Sequence, residues 1–194
     1  MVTGRFASPS RDKAAKLEAV AGAIALLLVQ YGPEGVTHAR VARAAKVSRA
    51  WLYKYLGSTR PDLIHFATVH FGTLLAEFDE RPRTSSRNEW TEDTALGLRS
   101  LVSQSERHPW LLPLYFRYLG TESEIGRTIA ELEHAYIETT SREVARVFEL
   151  SPETAHFIAE LLFCGRMALA YRYQLTGVLA PPKLDELVRF IGRP

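Results

Sequence analysis

Residues 37–56 contain two short stretches of helical periodicity joined by a tight turn, and this pattern limits what the chain can fold into. Apolar residues recur every three or four positions on both sides of the turn, which predicts two helices that pack against each other. Ser48 is the predicted N-cap of the second helix, because its hydroxyl can accept from an amide that the first turn leaves unpaired. The apolar positions are Val41, Ala42 and Ala45 before the turn and Val47, Leu52 and Leu56 after it.

The rest of the chain has helical periodicity as well, and no alternating strand pattern stands between its turn signals. The sequence therefore predicts an all-α fold of about nine helices. Residues 1–58, of which about the first nine form a flexible lead-in, are predicted as a three-helix N-terminal domain. A fourth helix, with Thr59 and Asp62 as a partial capping box, leads into a larger helical domain of residues 59–194. The helices after it are predicted near residues 89–106, 110–119, 123–150, 151–175 and 183–191.

Basic residues are concentrated in the first third of the chain. Residues 1–65 hold ten Lys or Arg against four Asp or Glu, a net charge of +6. Residues 66–194 hold fourteen against eighteen, a net charge of −4. This division fits an N-terminal part that meets phosphates, and a merely solvated basic face is the alternative.

The single cysteine, Cys164, excludes an internal disulfide and favours a reducing, cytoplasmic compartment. The N-terminus lacks the apolar core of a signal peptide. The longest apolar-rich run, residues 155–171, is interrupted by Glu160 and Arg166 and is short for a membrane span. We therefore predict a buried helix of a soluble protein there, with no membrane partner.

The second helix of the 37–56 stretch has an exposed side that suits a negatively charged groove. Burial of its apolar positions turns Ala50 and Lys54 outward, with aromatic residues on the flanks. Arg49 lies in the first turn, where a bidentate pair with guanine is worth about 1–3 kcal/mol of discrimination. Lys54 and Arg40 are better suited to phosphates, which position a protein without reading sequence. These features predict contact with duplex DNA.

The same residues carry a family resemblance. The spacing of Thr37, Val41-Ala42, Ala45, Val47-Ser48, Leu52-Tyr53 and Tyr55-Leu56, one helix in from the N-terminus and followed by a capped fourth helix, resembles the DNA-binding domain of the TetR family of bacterial transcriptional regulators. The resemblance covers about residues 10–75. It implies a helix-turn-helix, followed by a helical domain that dimerises and binds a ligand. Lys46 stands where the family usually has glycine, Leu56 stands where it usually has phenylalanine, and the fourth helix begins one residue later than is usual.

The resemblance also implies roles for individual residues. Thr37 and Tyr53 would contact phosphates, and Arg49, Ala50, Trp51 and Tyr55 would face base edges or the groove wall. For Trp51, packing on a thymine methyl and shielding the helix pair from solvent remain alternatives. Tyr55 could likewise fill the seam with the first helix.

Many aromatic or adaptable side chains in the second half are predicted to line an apolar pocket for a small-molecule effector. Membership of the hydrophobic core is the alternative for each of them. Four further residues are candidates to orient a polar or anionic ligand, namely Glu133, His134, Arg117 and Arg166. The candidate lining residues are Trp90, Trp110, Tyr115, Phe116, Tyr118, Tyr136, Phe163, Met167 and Tyr171.

The helix near residues 151–175 is apolar nearly all round, which predicts a homodimer interface formed with residues 123–150 or 183–191. Two recognition helices about 34–36 Å apart would match the half-sites of a palindromic operator. The predicted protein is thus a TetR-like regulator, a repressor, with no cofactor and no metal.

Two other classes are weighed against a regulator. An enzyme is disfavoured because His65 and His70 miss the spacing of a helical metal pair, and no catalytic motif with a phosphate-binding or nucleophile loop is present. A helical small-molecule-binding protein whose helix-turn-helix does not regulate transcription is the second alternative. A steep salt dependence of DNA affinity would separate them.

Overall fold

The computed structural model describes residues 9–77 and 86–178, and every regular element in these ranges is helical. The predicted all-α fold is therefore confirmed. The predicted lead-in before residue 9 and the predicted helix near residues 183–191 lie outside the described residues. The elements are α1 (Pro9–Tyr31), a 3-10 helix (Pro33–Gly35), α2 (His38–Ala44), α3 (Arg49–Leu56), α4 (Arg60–Ala76), α5 (Arg87–Arg107), α6 (Leu111–Tyr118), α7 (Glu124–Phe148) and α8 (Pro152–Thr176).

The chain forms two compact units, residues 1–71 (unit 1) and residues 72–194 (unit 2). The division falls inside α4, so this helix contributes to both units. The domain boundary proposed from the sequence, at residue 58, lies just before α4 begins.

Unit 1 is built around the buried side of α1. Val20, Ile24 and Leu28 recur every four residues along this helix and are fully buried. Val41 of α2 and Leu52 of α3 are also fully buried, as the helical periodicity predicts. Because α2 packs on both α1 and α3, the core holds the two short helices in place although neither is long enough to be stable alone.

The turn between α2 and α3 has a left-handed residue. Lys46 has φ 54°, a conformation that costs a residue with a Cβ about 1–2 kcal/mol. The turn is closed by the amide of Val47, which donates to the Ala42 carbonyl at 3.0 Å. The predicted cap is confirmed, because the hydroxyl of Ser48 accepts from the Trp51 amide at 3.1 Å. The lysine thus adopts the backbone for which the resemblance implies a glycine.

The corner between α3 and α4 is formed around Gly57. Its φ of 103° suits glycine, and a Cβ there would lie 2.4 Å from an Asp62 carboxylate oxygen. The predicted capping box is confirmed: the Thr59 amide donates to this carboxylate at 2.8 Å, and the Asp62 amide donates to the Thr59 hydroxyl at 3.2 Å. The hydrogen bond from the Thr59 amide holds the pKa of Asp62 below its usual value. His38 Nε2 lies 3.1 Å from the Gly57 carbonyl.

Within the described residues, one helix segment, Asp12–Tyr31, is long and apolar enough to cross a membrane by length and composition alone. The core helix of a soluble protein passes the same test. Val20, Ile24 and Leu28 are buried in the core of unit 1, so their apolar character is accounted for by packing.

Unit 2 is organised around the antiparallel pair α7 and α8, on which α5 and α6 pack. A core cluster at one end joins Trp90 of α5 with Val144 of α7 and Leu162 of α8. The Trp90 ring meets Phe148 edge-on, with ring centroids 5.1 Å apart. Ser151 caps α8 and Pro152 is its first residue, as the sequence predicts.

Candidate DNA-binding surface and ligand cavity

The outer side of α3 carries the predicted DNA-facing residues. Arg49, Ala50, Tyr53 and Lys54 are all exposed, whereas Leu52 between them is fully buried. The helix can therefore offer a guanidinium, an ammonium and a phenol to a groove while its core residue holds it against α2. This juxtaposition is set by the helical register, since residues 49, 50, 53 and 54 share one face.

Trp51 and Tyr55 form an aromatic pair one turn apart on the same helix, with ring centroids 4.8 Å apart. Trp51 is half-buried and Tyr55 is 39% exposed, so neither ring is a core residue. Two ammonium groups lie over the Tyr55 ring: Lys13 at 4.7 Å and Lys54 at 5.3 Å from its centroid. The start of α1 thus meets Tyr55 of α3 through a cation. A contact of Tyr55 with the first helix is one of the two alternatives that the sequence offers, although Lys13 is not predicted as the partner.

The predicted phosphate-contacting residues are held by their neighbours. The Tyr53 ring stacks on His38, with centroids 4.6 Å apart and planes at 27°. Thr37 caps α2, because its hydroxyl accepts from the Arg40 amide at 3.3 Å. The same hydroxyl can still donate its proton to another acceptor, because a hydroxyl both accepts and donates.

Arg40 and Arg43 extend the positive surface onto α2. Both are exposed, and the Arg40 guanidinium lies 5.2 Å from the centroid of the Tyr31 ring. Arg43 lines a shallow groove between α2 and α3 together with Val47 and Arg49. The sequence analysis predicts Arg40 as a DNA-contacting residue but does not predict Arg43, Lys13 or His38.

Unit 2 contains a cavity of about 190 Å³. Its walls are mostly apolar, with rings from α6, α7 and α8 and aliphatic side chains from α7 and the end of α4. The Phe163 ring lies 5.1 Å from that of Tyr136 and 6.4 Å from that of Tyr115. The lining residues are Leu75, Ala76, Tyr115, Ile129, Leu132, Glu133, Ala135, Tyr136, Phe163, Arg166 and Met167.

Two polar pairs project into this apolar lining. Arg166 is 5% exposed, and its guanidinium donates to the Tyr136 hydroxyl at 2.7 Å. The Tyr115 hydroxyl donates to the Glu133 carboxylate. Burial raises the pKa of Tyr115, and the hydrogen bond to Glu133 raises it further, so this phenol remains a protonated donor.

The structure brings together some of the predicted pocket residues and separates others from the cavity. Tyr115, Tyr136, Phe163 and Met167 line it, together with the predicted polar candidates Glu133 and Arg166. The other candidates lie elsewhere in the described part of unit 2. Trp90 and Trp110 are buried, Tyr118 is buried on α6, Phe116 pairs with Tyr171 at 4.7 Å, and His134 and Arg117 are exposed.

The described residues thus form a three-helix unit with a helix-turn-helix, followed by a larger helical unit with a largely apolar cavity. No family model and no curated protein matches the sequence. Solved structures do match over nearly the whole chain. A TetR-like transcriptional regulator from Rhodococcus sp. RHA1 is 17% identical, with 97% of this chain and 96% of that chain covered and a TM-score of 0.67.

Two further structures show the same likeness. A TetR transcriptional regulator from Legionella pneumophila is 12% identical, covers 96% of this chain and 98% of its own, and has a TM-score of 0.61. The fatty acid degradation regulator FadR from Bacillus halodurans is 15% identical, covers 97% and 95%, and has a TM-score of 0.58. The chain therefore has the fold of the TetR-family transcriptional regulators, which confirms the resemblance predicted from the sequence.

Proposed function

We propose that the protein is a TetR-like transcriptional repressor, which binds a palindromic operator as a homodimer and responds to a small, largely apolar ligand. The observation that carries this proposal is the exposed face of α3. Arg49, Tyr53 and Lys54 lie on this face, while Leu52 on the opposite side of the same helix is buried in the core. The shared fold of solved transcriptional regulators supports it.

We assign the contacts by chemistry and exposure. Arg49 reads a base from the first turn of α3, beside Ala50, which is small enough to let the helix approach the groove. Lys54 and Arg40 neutralise phosphates, and Thr37 and Tyr53 donate hydroxyl hydrogen bonds to phosphate oxygens. The aromatic pair of Trp51 and Tyr55 packs against the groove wall, where thymine methyl groups and sugars offer apolar surface.

Selection of bound sites from random duplex DNA tests whether α3 recognises the DNA sequence. We expect an inverted repeat with half-sites one helical turn apart, because a two-fold dimer presents two copies of α3. Arg49→Ala should relax the preference at one base position in each half-site. Tyr53→Phe should weaken binding to all sequences alike. Arg107→Ala, which removes an exposed arginine of α5, is the matched control and should change neither property.

Two results would contradict this part of the proposal. Unchanged affinity in both Arg49→Ala and Tyr53→Phe would exclude α3 as the reader. Ligand binding without any sequence-selective DNA binding would instead favour a helical small-molecule-binding protein whose helix-turn-helix does not regulate transcription.

A second copy of the chain is the partner we propose for the outer side of α8. Phe157 is 58% exposed and Leu161 55%, one turn apart, and the exposed Cys164 continues the same stripe. Exposed apolar residues in line along a helix favour a self-complementary contact across a two-fold axis. The helices near residues 123–150 or 183–191 would complete the interface, as the sequence predicts.

Sedimentation of a Phe157→Glu/Leu161→Glu double variant tests the dimer. We expect the wild-type chain to sediment as a dimer at micromolar concentration and the variant as a monomer with unchanged helicity. Leu96→Glu is the matched control, because Leu96 is also 55% exposed but lies on α5. A monomeric wild-type protein would remove the dimer from the proposal.

The cavity of unit 2 is the effector site in this proposal, because it is concave, mostly apolar and equipped with a few polar groups. A regulator named for fatty acid degradation shares the fold, which supports an effector with an apolar body. Action on DNA implies a cytoplasmic protein, and the free Cys164 is compatible with a reducing compartment. We propose no catalytic activity, in line with the transcriptional regulators that share the fold.

A further inference from the structure

We propose that the cavity of unit 2 takes a compact monocarboxylic acid, whose body is one ring or a chain of similar size and whose carboxylate meets Arg166 and Tyr136. This inference rests on the proposed function, in which the cavity is the effector site. It adds the size, the charge and the orientation of the ligand.

The size follows from the volume. An apolar cavity of about 150 Å³ holds one benzene molecule, so a cavity of 190 Å³ holds a ring with a small substituent. A long acyl chain needs considerably more space. A cavity of 190 Å³ therefore accommodates the body of a short-chain or monocyclic acid, whereas most of a long acyl chain would lie outside it.

The shape of the walls favours a ring over a chain. Tyr115, Tyr136 and Phe163 present three aromatic surfaces to the same space, and Ile129 and Met167 close it with aliphatic contacts. Aromatic rings pack well edge-on or offset against such surfaces. A ligand ring would continue the network of tilted ring contacts that already joins Tyr136 to Phe163.

The charge follows from Arg166. Its side chain is buried, lines the cavity and carries only donors, so its natural ligand is an anion with oxygen acceptors. The bond to Tyr136 and the position of the guanidinium 4.6 Å from the centroid of that ring hold it in one orientation. A planar carboxylate matches the guanidinium fork, and the Tyr136 hydroxyl adds a second polar contact next to it.

Glu133 restricts the ligand to one acidic group. Its carboxylate also lines the cavity and already accepts from Tyr115. A second carboxylate on the ligand would be repelled by Glu133, since like charges in a poorly solvated space interact strongly. A hydroxyl on the ring could instead donate to it. The cavity should therefore favour monoacids, and hydroxyl-bearing monoacids in particular, over diacids.

Isothermal titration of the 194-residue chain tests the inference with benzoate, 4-hydroxybenzoate, benzamide, terephthalate, hexanoate and palmitate. We expect 4-hydroxybenzoate and benzoate to bind most tightly, with benzamide at least about tenfold weaker because it lacks the charge that strengthens a hydrogen bond. Terephthalate and palmitate should not bind measurably. Equal affinity for benzoate and benzamide, or tighter binding of palmitate, would overturn the inference.

Variants locate the site. Tyr136→Phe should weaken benzoate binding, and Arg166→Met should abolish it. Arg117→Met, an exposed arginine of α6, is the matched control and should have no effect. If Arg166→Met unfolds the protein, Glu133→Gln provides the test of the ligand orientation. This variant should bind terephthalate, because it lacks the carboxylate that repels the second acidic group. Failure of terephthalate to bind that variant would count against the assigned orientation.

The outcomes separate this inference from the proposed function. If none of the acids binds while the protein still selects a palindromic site, the proposed ligand class is wrong and the proposed regulatory function stands. If neutral or cationic ring compounds bind in the cavity instead, the effector site remains and the acid assignment falls.

Discussion

Replacing Lys46 with glycine should stabilise the protein. Lys46 is left-handed in the turn between α2 and α3, where a Cβ is strained and a glycine is not. Its side chain is exposed, so truncation removes no core packing. The substitution therefore isolates the backbone strain of the helix-turn-helix from other contributions to the free energy of unfolding.

The magnitude is a difference of two terms. Relief of the left-handed conformation contributes about 1–2 kcal/mol. The greater freedom of glycine in the unfolded chain opposes it by about 0.4–1 kcal/mol. The net gain lies between about 0 and about 1.6 kcal/mol, and its central value of about 0.8 kcal/mol raises Tm by about 2–3 °C if the whole chain unfolds together. If unit 1 unfolds separately, the same gain gives a larger shift, because a smaller unit has a smaller entropy of unfolding.

Calorimetry and urea unfolding, followed by circular dichroism, measure this gain. Lys46→Ala is the control, because it removes the same charge and keeps the Cβ, and its effect should stay within about 0.5 kcal/mol. Glu149→Gly provides a second test in unit 2, since Glu149 ends α7 with φ 57°. If Lys46→Gly is no more stable than Lys46→Ala, the strain assigned to this turn is not there.

Three further outcomes are expected. Asp62→Asn should flatten the acid limb of pH-dependent melting. The pKa of Asp62 is lowered in the fold, so its carboxylate stabilises the protein above the unfolded pKa near 3.8, and this stability is lost as the pH falls through the lower folded pKa. Gly126→Ala should lose about 1–3 kcal/mol in urea unfolding, since its Cβ would lie 2.0 Å from a backbone oxygen, whereas Gly165→Ala, with open space, should not. Lys13→Gln should reduce the slope of log DNA affinity against log salt by about 0.9, which is the value for one neutralised phosphate. Lys16→Gln is the control and should leave the slope unchanged, because the ammonium of Lys16 already lies 2.6 Å from the Asp12 carboxylate.

The helices and their caps could be predicted from the sequence because their causes are local. Ser48 and Ser151 cap the helices that follow them, and the Thr59–Asp62 pair closes as predicted. Periodicity also placed Val41 and Leu52 in the core. Each of these depends on residues within one helical turn, so a single chain carries the information.

The contacts between distant residues could not be predicted in this way. The sequence offers the seam with the first helix as one position for Tyr55, but no spacing identifies Lys13 as its partner or His38 as the partner of Tyr53. Both contacts form only when the helices pack. The same holds for the cavity. The sequence pattern does not distinguish Trp90 from Phe163, because both are aromatic residues on predicted helices. Only the packing of α5, α7 and α8 places Trp90 in the core and Phe163 on the cavity wall.

The corner at Gly57 has a consequence for the energetics of recognition. Helix ends usually fray, yet the end of α3 is joined through Gly57 to His38 of α2, and the space left by its missing side chain holds the carboxylate that caps α4. The last turn of α3 cannot loosen without breaking these contacts at the same time. Tyr53, Lys54 and Tyr55 stand on that turn, so these contacts hold their backbone in place. In the proposed complex with DNA, binding would therefore cost less backbone conformational entropy than a frayed helix end would require.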